Sequence, residues 1–169
     1  MKNFKSIIAL TMASSALLIA SSAQAKTSYY GGVGVETLSG TNYTSVVAKG
    51  GAEIANNFGV EAEVGHGLNN KDYYGYKLGV GVSYAVYGTY TYPIDKDLDI
   101  VGRIGYGGWS VNASTTIPGY SYNVSASETG IAAGVTVRKF FNGGKNGIRI
   151  DGGYIASGSQ FGIGYIRKF

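Results

Sequence analysis

The chain has 169 residues, with 28 glycines, 15 tyrosines, 2 prolines, no cysteine and 14% charged residues. Without cysteine there is no disulfide, thiolate metal site or cysteine nucleophile, and the charged share is low against about 25% for an average soluble domain. The formal net charge is +4, but no basic cluster accompanies it, which excludes the usual footprint of nucleic-acid binding.

The first 25 residues stand apart. Lys2 and Lys5 precede an apolar run over 7–20, and "SSAQA" then places small residues at 23 and 25. This predicts a signal peptide over 1–25, cleaved after Ala25, and a single mature domain over 26–169. Without Lys2 and Lys5, 12 basic residues face 10 acidic ones, a net charge near +2. The mature part holds no apolar stretch of about 18 residues, so no membrane-spanning helix is expected.

From residue 28 onward the pattern has period two, the signature of strands. Eight segments follow in order. "SYYGGVGVETL" (28–38) and "TSVVAKGGAEI" (44–54) come first, then a tight turn and "FGVEAEVGHG" (58–67). After the loop "LNNKD", one long segment runs over 73–93, with Tyr74, Tyr76, Leu78, Val80, Val82, Tyr84, Val86, Tyr90 and Tyr92 in one phase. "PIDKD" turns the chain into "LDIVGRIGYGGW" (98–109). A Ser/Thr/Asn-rich stretch, 110–125, reads as the longest loop. "SETGIAAGVTVRKFF" (127–141), "GIRIDGGYI" (147–155) and "QFGIGYIRKF" (160–169) complete the set.

This alternation suits a soluble sandwich or a closed membrane barrel, and three features favour the barrel. The turns near 55–57, 94–97 and 142–146 are short, while the links at 39–43, 68–72 and 110–125 are longer on average and more polar, which is the outer-membrane arrangement; the short link 156–159 fits less well. The phase opposite the apolar one carries Glu36, Lys49, Glu53, Glu61, Glu63, Lys77, Asp99, Arg103, Glu128, Arg138, Arg149, Asp151 and Lys168. That is a nearly balanced set, as a narrow lumen needs, because unpaired buried charge is costly. The aromatics of the apolar phase sort by height into two belts. Tyr29, Phe58, Tyr90, Tyr92, Phe141 and Phe169 fall near one edge, and Tyr74, Tyr76, Tyr106, Tyr154 and Phe161 near the other. A flat ring with a polar tip suits a membrane interface. The fold class expected is therefore all-β, an eight-stranded antiparallel up-and-down transmembrane barrel.

The signal peptide, the eight-strand rhythm, "YTYPIDKDLDIVGRIGYG" and the terminal "GIGYIRKF" together resemble the small Gram-negative outer-membrane barrel family, the OmpA/OmpX-like proteins, over the whole mature chain. The resemblance implies an outer-membrane location in a Gram-negative bacterium and a lumen plugged by salt bridges. It also implies a C-terminal assembly signal, read by the barrel-assembly machinery, at Gly164, Tyr165 and Phe169. Arg167 departs from that signal, where an apolar or aromatic residue is usual. No peptidoglycan-binding domain like that of the longer OmpA proteins is expected.

Few residues offer chemistry. "GGVGVE" and "GRIGYGG" lie inside strands and open no helix, so they are not phosphate loops. Asp95, Asp97 and Asp99 have calcium-like spacing but lack the glycine and distal glutamate of a calcium loop. His66, the only histidine, sits at the outer end of a strand with no nucleophile motif to serve. No catalytic, cofactor or metal residue is expected. The reading is a non-enzymatic, monomeric barrel acting in envelope integrity or adhesion. Its expected partners are outer-membrane lipid or lipopolysaccharide, the assembly machinery and a surface ligand, with the 110–125 stretch and Trp109 at its base as first contact. A narrow porin-like channel and a lipid-modifying enzyme using His66 are the alternatives.

Overall fold

The computed structural model describes residues 27–38, 43–55, 57–73, 76–117 and 120–169. The expected signal peptide, the link 39–42 and Tyr74 lie outside them. The described residues form nine strands: β1 (Ser28–Leu38), β2 (Tyr43–Ala55), β3 (Phe58–Gly67), β4 (Asn70–Tyr73), β5 (Tyr76–Pro93), β6 (Leu98–Ile117), β7 (Tyr120–Phe141), β8 (Asn146–Ile155) and β9 (Gly158–Lys168). β3 and β4 pair in succession with β5, so together they make one interrupted stave. The order β3-β2-β1-β9-β8-β7-β6-β5 closes through β3 on β5 into an eight-stave antiparallel barrel. Closure leaves no free edge around the barrel wall, which is what lets a sheet stand in lipid.

The burial pattern is inside out. Arg138, Arg149, Thr136 and Asp151 are among the largest fully buried side chains, while Ile104 is 67% and Phe161 62% exposed. A soluble sandwich shows the reverse. Alternation turns one phase of every strand into the lumen and the other into an apolar outer wall.

The turns explain themselves locally. Asn142, Gly143 and Gly144 have positive φ (53°, 70° and 82°), the left-handed region that Asn and Gly enter most readily. Ala156 adopts φ 54° in the β8–β9 turn, and its N–H donates to the Ile131 carbonyl.

Three expectations are corrected. The 110–125 stretch is not a loop. It is the upper part of a hairpin, paired from Val111↔Ala126 to Ile117↔Tyr120; Ser, Thr and Asn carry weak strand signals, but two long facing strands satisfy their backbones in register. The loop expected over 68–72 instead holds β4 from Asn70, and the segment over 73–93 is not one strand, because Tyr73 of β4 pairs with Tyr76 of β5. The outer rim is consequently uneven. β7 pairs with β8 only from Ala132↔Ile155 downward, so above that level β4, β5, β6 and β7 stand as a tall flap.

Candidate functional site

Every stave sends polar side chains into the lumen. In the upper network, Lys49 on β2 bonds Glu36 on β1 and Glu63 on β3, the latter at 2.7 Å, and lies 3.6 Å from Asp151 on β8. Arg103 on β6 reaches Glu61 and Glu63 at 3.1 Å each. Arg149 on β8 grips Glu61 through both terminal nitrogens, at 2.9 and 3.0 Å, and Asp151 at 2.7 Å. β8 and β3 lie four staves apart either way round, so the Arg149–Glu61 pair spans the full barrel diameter. Tyr30 and Tyr87 donate their hydroxyls to Glu61 and Glu63, and Thr136 donates to Asp151 at 2.6 Å. The guanidinium of Arg103 also stacks 4.8 Å from the Tyr87 ring.

A lower network lies toward the short turns. Arg138 on β7 binds Asp99 in a bidentate fork at 2.6 and 2.9 Å and reaches across the diameter to Glu53 on β2 at 2.6 Å. Lys168 lies 3.6 Å from Glu53 and 4.0 Å from Asp99. Apolar clusters close both ends: Ala85, Tyr87, Ala132 and Ile155 with Trp109 above, and Tyr30, Phe140 and Ile166 below. Bidentate, crossing, charge-assisted bonds of this kind fix geometry as well as energy. Arg103 is the least satisfied member, since its Nε has no hydrogen-bond partner.

Glu128 keeps the lumen phase but lies outside this network, and Lys77 has left it: a bulge between Val80 and Ser83 shifts β5 by one residue, which turns Val80 inward (5% exposed) and Lys77, opposite Ser114, outward. Both are exposed, at the level of the flap, and Glu128 accepts a bond from Ser157 at 2.8 Å. Asp99 is buried with Arg138, while Asp95 and Asp97 stay in the 94–97 turn. There the Asp97 N–H donates to the Asp95 carboxylate and holds its pKa below the ordinary range. No group of acidic or histidine residues suited to a metal occurs among the described residues.

No family model and no curated protein matches the sequence. Solved structures do. Ail, the attachment invasion locus protein of Yersinia pestis, in complex with the heparin analogue sucrose octasulfate, matches at TM-score 0.57 and 17% identity, over 85% of this chain and 96% of Ail. A major outer membrane protein from Thermus thermophilus matches at 0.59 and 12%, over 85% and 100%. The N-terminal β-barrel domain of Pseudomonas aeruginosa OprF matches at 0.54 and 12%, over 84% and 97%. This is the fold of the small outer-membrane barrels. At such identities the likeness concerns the fold alone.

In a barrel of that kind the apolar wall meets lipid. Tyr29, Phe58, Tyr90, Tyr92 and Phe141 point outward toward the short turns, and Tyr106, Tyr154 and Phe161 toward the flap; Tyr76 belongs to β5 by its backbone. His66 is exposed on the same wall, opposite Val46 and Val82. Trp109 is half-buried. It turns inward onto Ala85, Tyr87, Ala132 and Ile155, and its buried indole N–H has no hydrogen-bond partner. Beside it a void of about 10 Å³, lined by Glu36, Ser45, Ser83 and Gln160 among others, offers room for about one water. At the chain end, the Phe169 N–H donates to the Tyr29 carbonyl and its ring is 78% exposed. The Tyr165 hydroxyl donates to Asn146, and Gly164 stands opposite Gly34.

Proposed function

We propose that this chain is a non-enzymatic protein of the bacterial outer membrane, with its termini in the periplasm, acting at the cell surface through the β4–β7 flap. The observation that carries this reading is the combination of a solid lumen with an uneven rim. A lumen crossed by diametric ion pairs leaves no path for solute, and an eight-stave barrel has space only for side chains or one small ligand. The flap offers what the lumen does not. Residues 121–130 pair only with β6, so one side of β7 keeps open backbone donors and acceptors that can take an extended peptide.

The heparin analogue bound to Ail gives no model for the ligand here. The outer end carries Lys71 and Lys77 against Asp72 and Glu128, and a sulfated sugar needs a dense positive field. A neutral, hydrogen-bonding partner fits Ser125, Ser127 and Thr129 better. The test compares cells carrying the intact protein with cells in which 113–124 is replaced by a two-residue turn and Ser125, Ser127 and Thr129 are changed to alanine. Surface or host-matrix binding should fall while the amount of folded barrel stays level. Unchanged binding would reject the reading. A stable conductance from the refolded protein in a planar bilayer would instead favour the channel.

A further inference from the structure

The outer wall carries a groove of about 650 Å³ across β5, β6, β7 and β8. Its rows follow the register. Tyr90, Gly102, Val135 and Gly152 are successive partners, and so are Gly88, Ile104, Ala133 and Tyr154. Phe58, edge-on to Tyr90 at 5.0 Å between centroids, closes one end. The groove exists because glycine stands where its neighbours on the wall are large. A side chain on Gly102 or Gly152 would meet nothing within 4 Å, and on Gly88 only the Ile104 carbonyl at 3.8 Å. Neither packing nor backbone conformation demands glycine at these three positions, whereas glycine inside a strand weakens it.

Below the groove, the outward phase of β7 continues through Val137 to Lys139. Lys139 lies four residues, roughly 13 Å at about 3.3 Å per residue, from Val135. Its ammonium is 3.8 Å from the Asp95 carboxylate, and both side chains are more than half exposed. Lys96 is exposed on the same turn, beside Asp97. Two cations and two anions therefore sit at the interface end of an apolar trough.

We propose that this is a binding site for one zwitterionic phospholipid with a primary ammonium head, phosphoethanolamine in type. Lys139 and Lys96 hold the phosphate, Asp95 accepts from the ammonium, and an acyl chain lies in the groove over Gly102 and Gly152. The balanced charges select this head: a purely anionic lipid leaves Asp95 facing phosphate, and a choline head has no N–H to donate. The leaflet concerned is the periplasmic one, a point that rests on the orientation proposed above.

The test uses refolded protein in detergent, each variant shown to be folded by its gel shift between boiled and unboiled samples. Palmitoyl-oleoyl phosphatidylethanolamine, phosphatidylglycerol and phosphatidylcholine are offered in turn, and retained lipid is counted by native mass spectrometry. One phosphatidylethanolamine per barrel is expected, retained about fivefold better than either other lipid, the ratio that corresponds to about 1 kcal/mol per surface charge contact. Gly102→Leu with Gly152→Leu should abolish retention, while Gly50→Leu, on the wall of β2, should not. Asp95→Asn should remove the head preference and keep the chain. Equal retention by the filled and unfilled barrels, better retention of phosphatidylglycerol, or dimers that vanish when the groove is filled would each overturn the proposal. Detergent removes orientation and surface contact from the result, so a failure here leaves the reading of the rim standing.

Discussion

Arg149 and Arg138 do the most at the scale of single residues. Each is nearly inaccessible (2% and 1%) and each bonds two carboxylates, one of them across the barrel. Arg149→Met leaves Glu61 and Asp151 short of a counter-charge, a loss of about 3–5 kcal/mol when one member of a buried pair is removed; urea unfolding of the barrel in lipid measures it. Arg103→Met should cost less, since Arg103 Nε is already unbonded. Lys77→Ala and Glu128→Ala should stay within about 0.5 kcal/mol, as surface changes do. Alternation gives the phase of these residues except Lys77, but not their depth. Glu128 obeys the same parity as Arg149, yet sits above the level where neighbouring staves cover it; parity alone places Lys77 in the lumen, but the bulge between Val80 and Ser83 turns it outward. Gly51 is a contrasting case. The Tyr30 Cζ and the Val60 carbonyl each lie 2.5 Å from where a Cβ would stand, so Gly51→Val should displace Tyr30 from Glu61 and strain the backbone of β3, at a cost of about 1–3 kcal/mol, read by the same unfolding curve.

Among the elements, β9 and the β6–β7 hairpin play opposite parts. β9 closes the ring by pairing with both β1 and β8, and Phe169 is tied to the Tyr29 carbonyl at its last residue. Deleting Phe169 should lower the yield of assembled barrel in cells far more than Arg167→Tyr does, scored by heat-modifiable protein in the outer-membrane fraction; equal yields would count against a role for the terminal ring. Arg167 stacks 5.8 Å from the Phe169 ring at the turn end of the wall, where a basic side chain reaches the headgroups at little cost. The β6–β7 hairpin, by contrast, rises above the lumen network. Its upper pairs, Val111↔Ala126 to Ile117↔Tyr120, carry none of the lumen bonds, so replacing 113–124 by a short turn should leave the unfolding midpoint within the usual surface range. The sequence marked this stretch as polar and small but not as strand, because its order comes from a long partner and not from its own propensity.

For the whole molecule, the decisive quantity is the inversion of burial. A polar interior held by crossing ion pairs and an apolar exterior of exposed Ile, Val, Phe and Tyr form one structure only where the surroundings are lipid. Unboiled protein should therefore migrate differently from boiled protein after refolding in detergent or liposomes, and it should fail to fold in plain buffer; a folded, water-soluble monomer would contradict the architecture. The interior also predicts electrical silence in a planar bilayer, since Arg149–Glu61 and Arg138–Glu53 both bar the axis.

Period-two alternation, short turns and a balanced inner phase determined the fold class, the lumen side of each strand except β5 above its bulge, and most strand limits from the sequence alone. Those features are local, and a side-chain period of two leaves each residue only two faces to choose from. Which acid meets which base was decided by the tertiary structure. Glu61 and Arg149 are 88 positions apart and Glu53 and Arg138 are 85 apart, and they meet only because closure sets their staves opposite one another. Closure and register likewise turned Trp109 inward, raised the flap, and aligned three distant glycines into a groove. Pairing across a barrel depends on stave number and register, and neither is carried by any short stretch of chain.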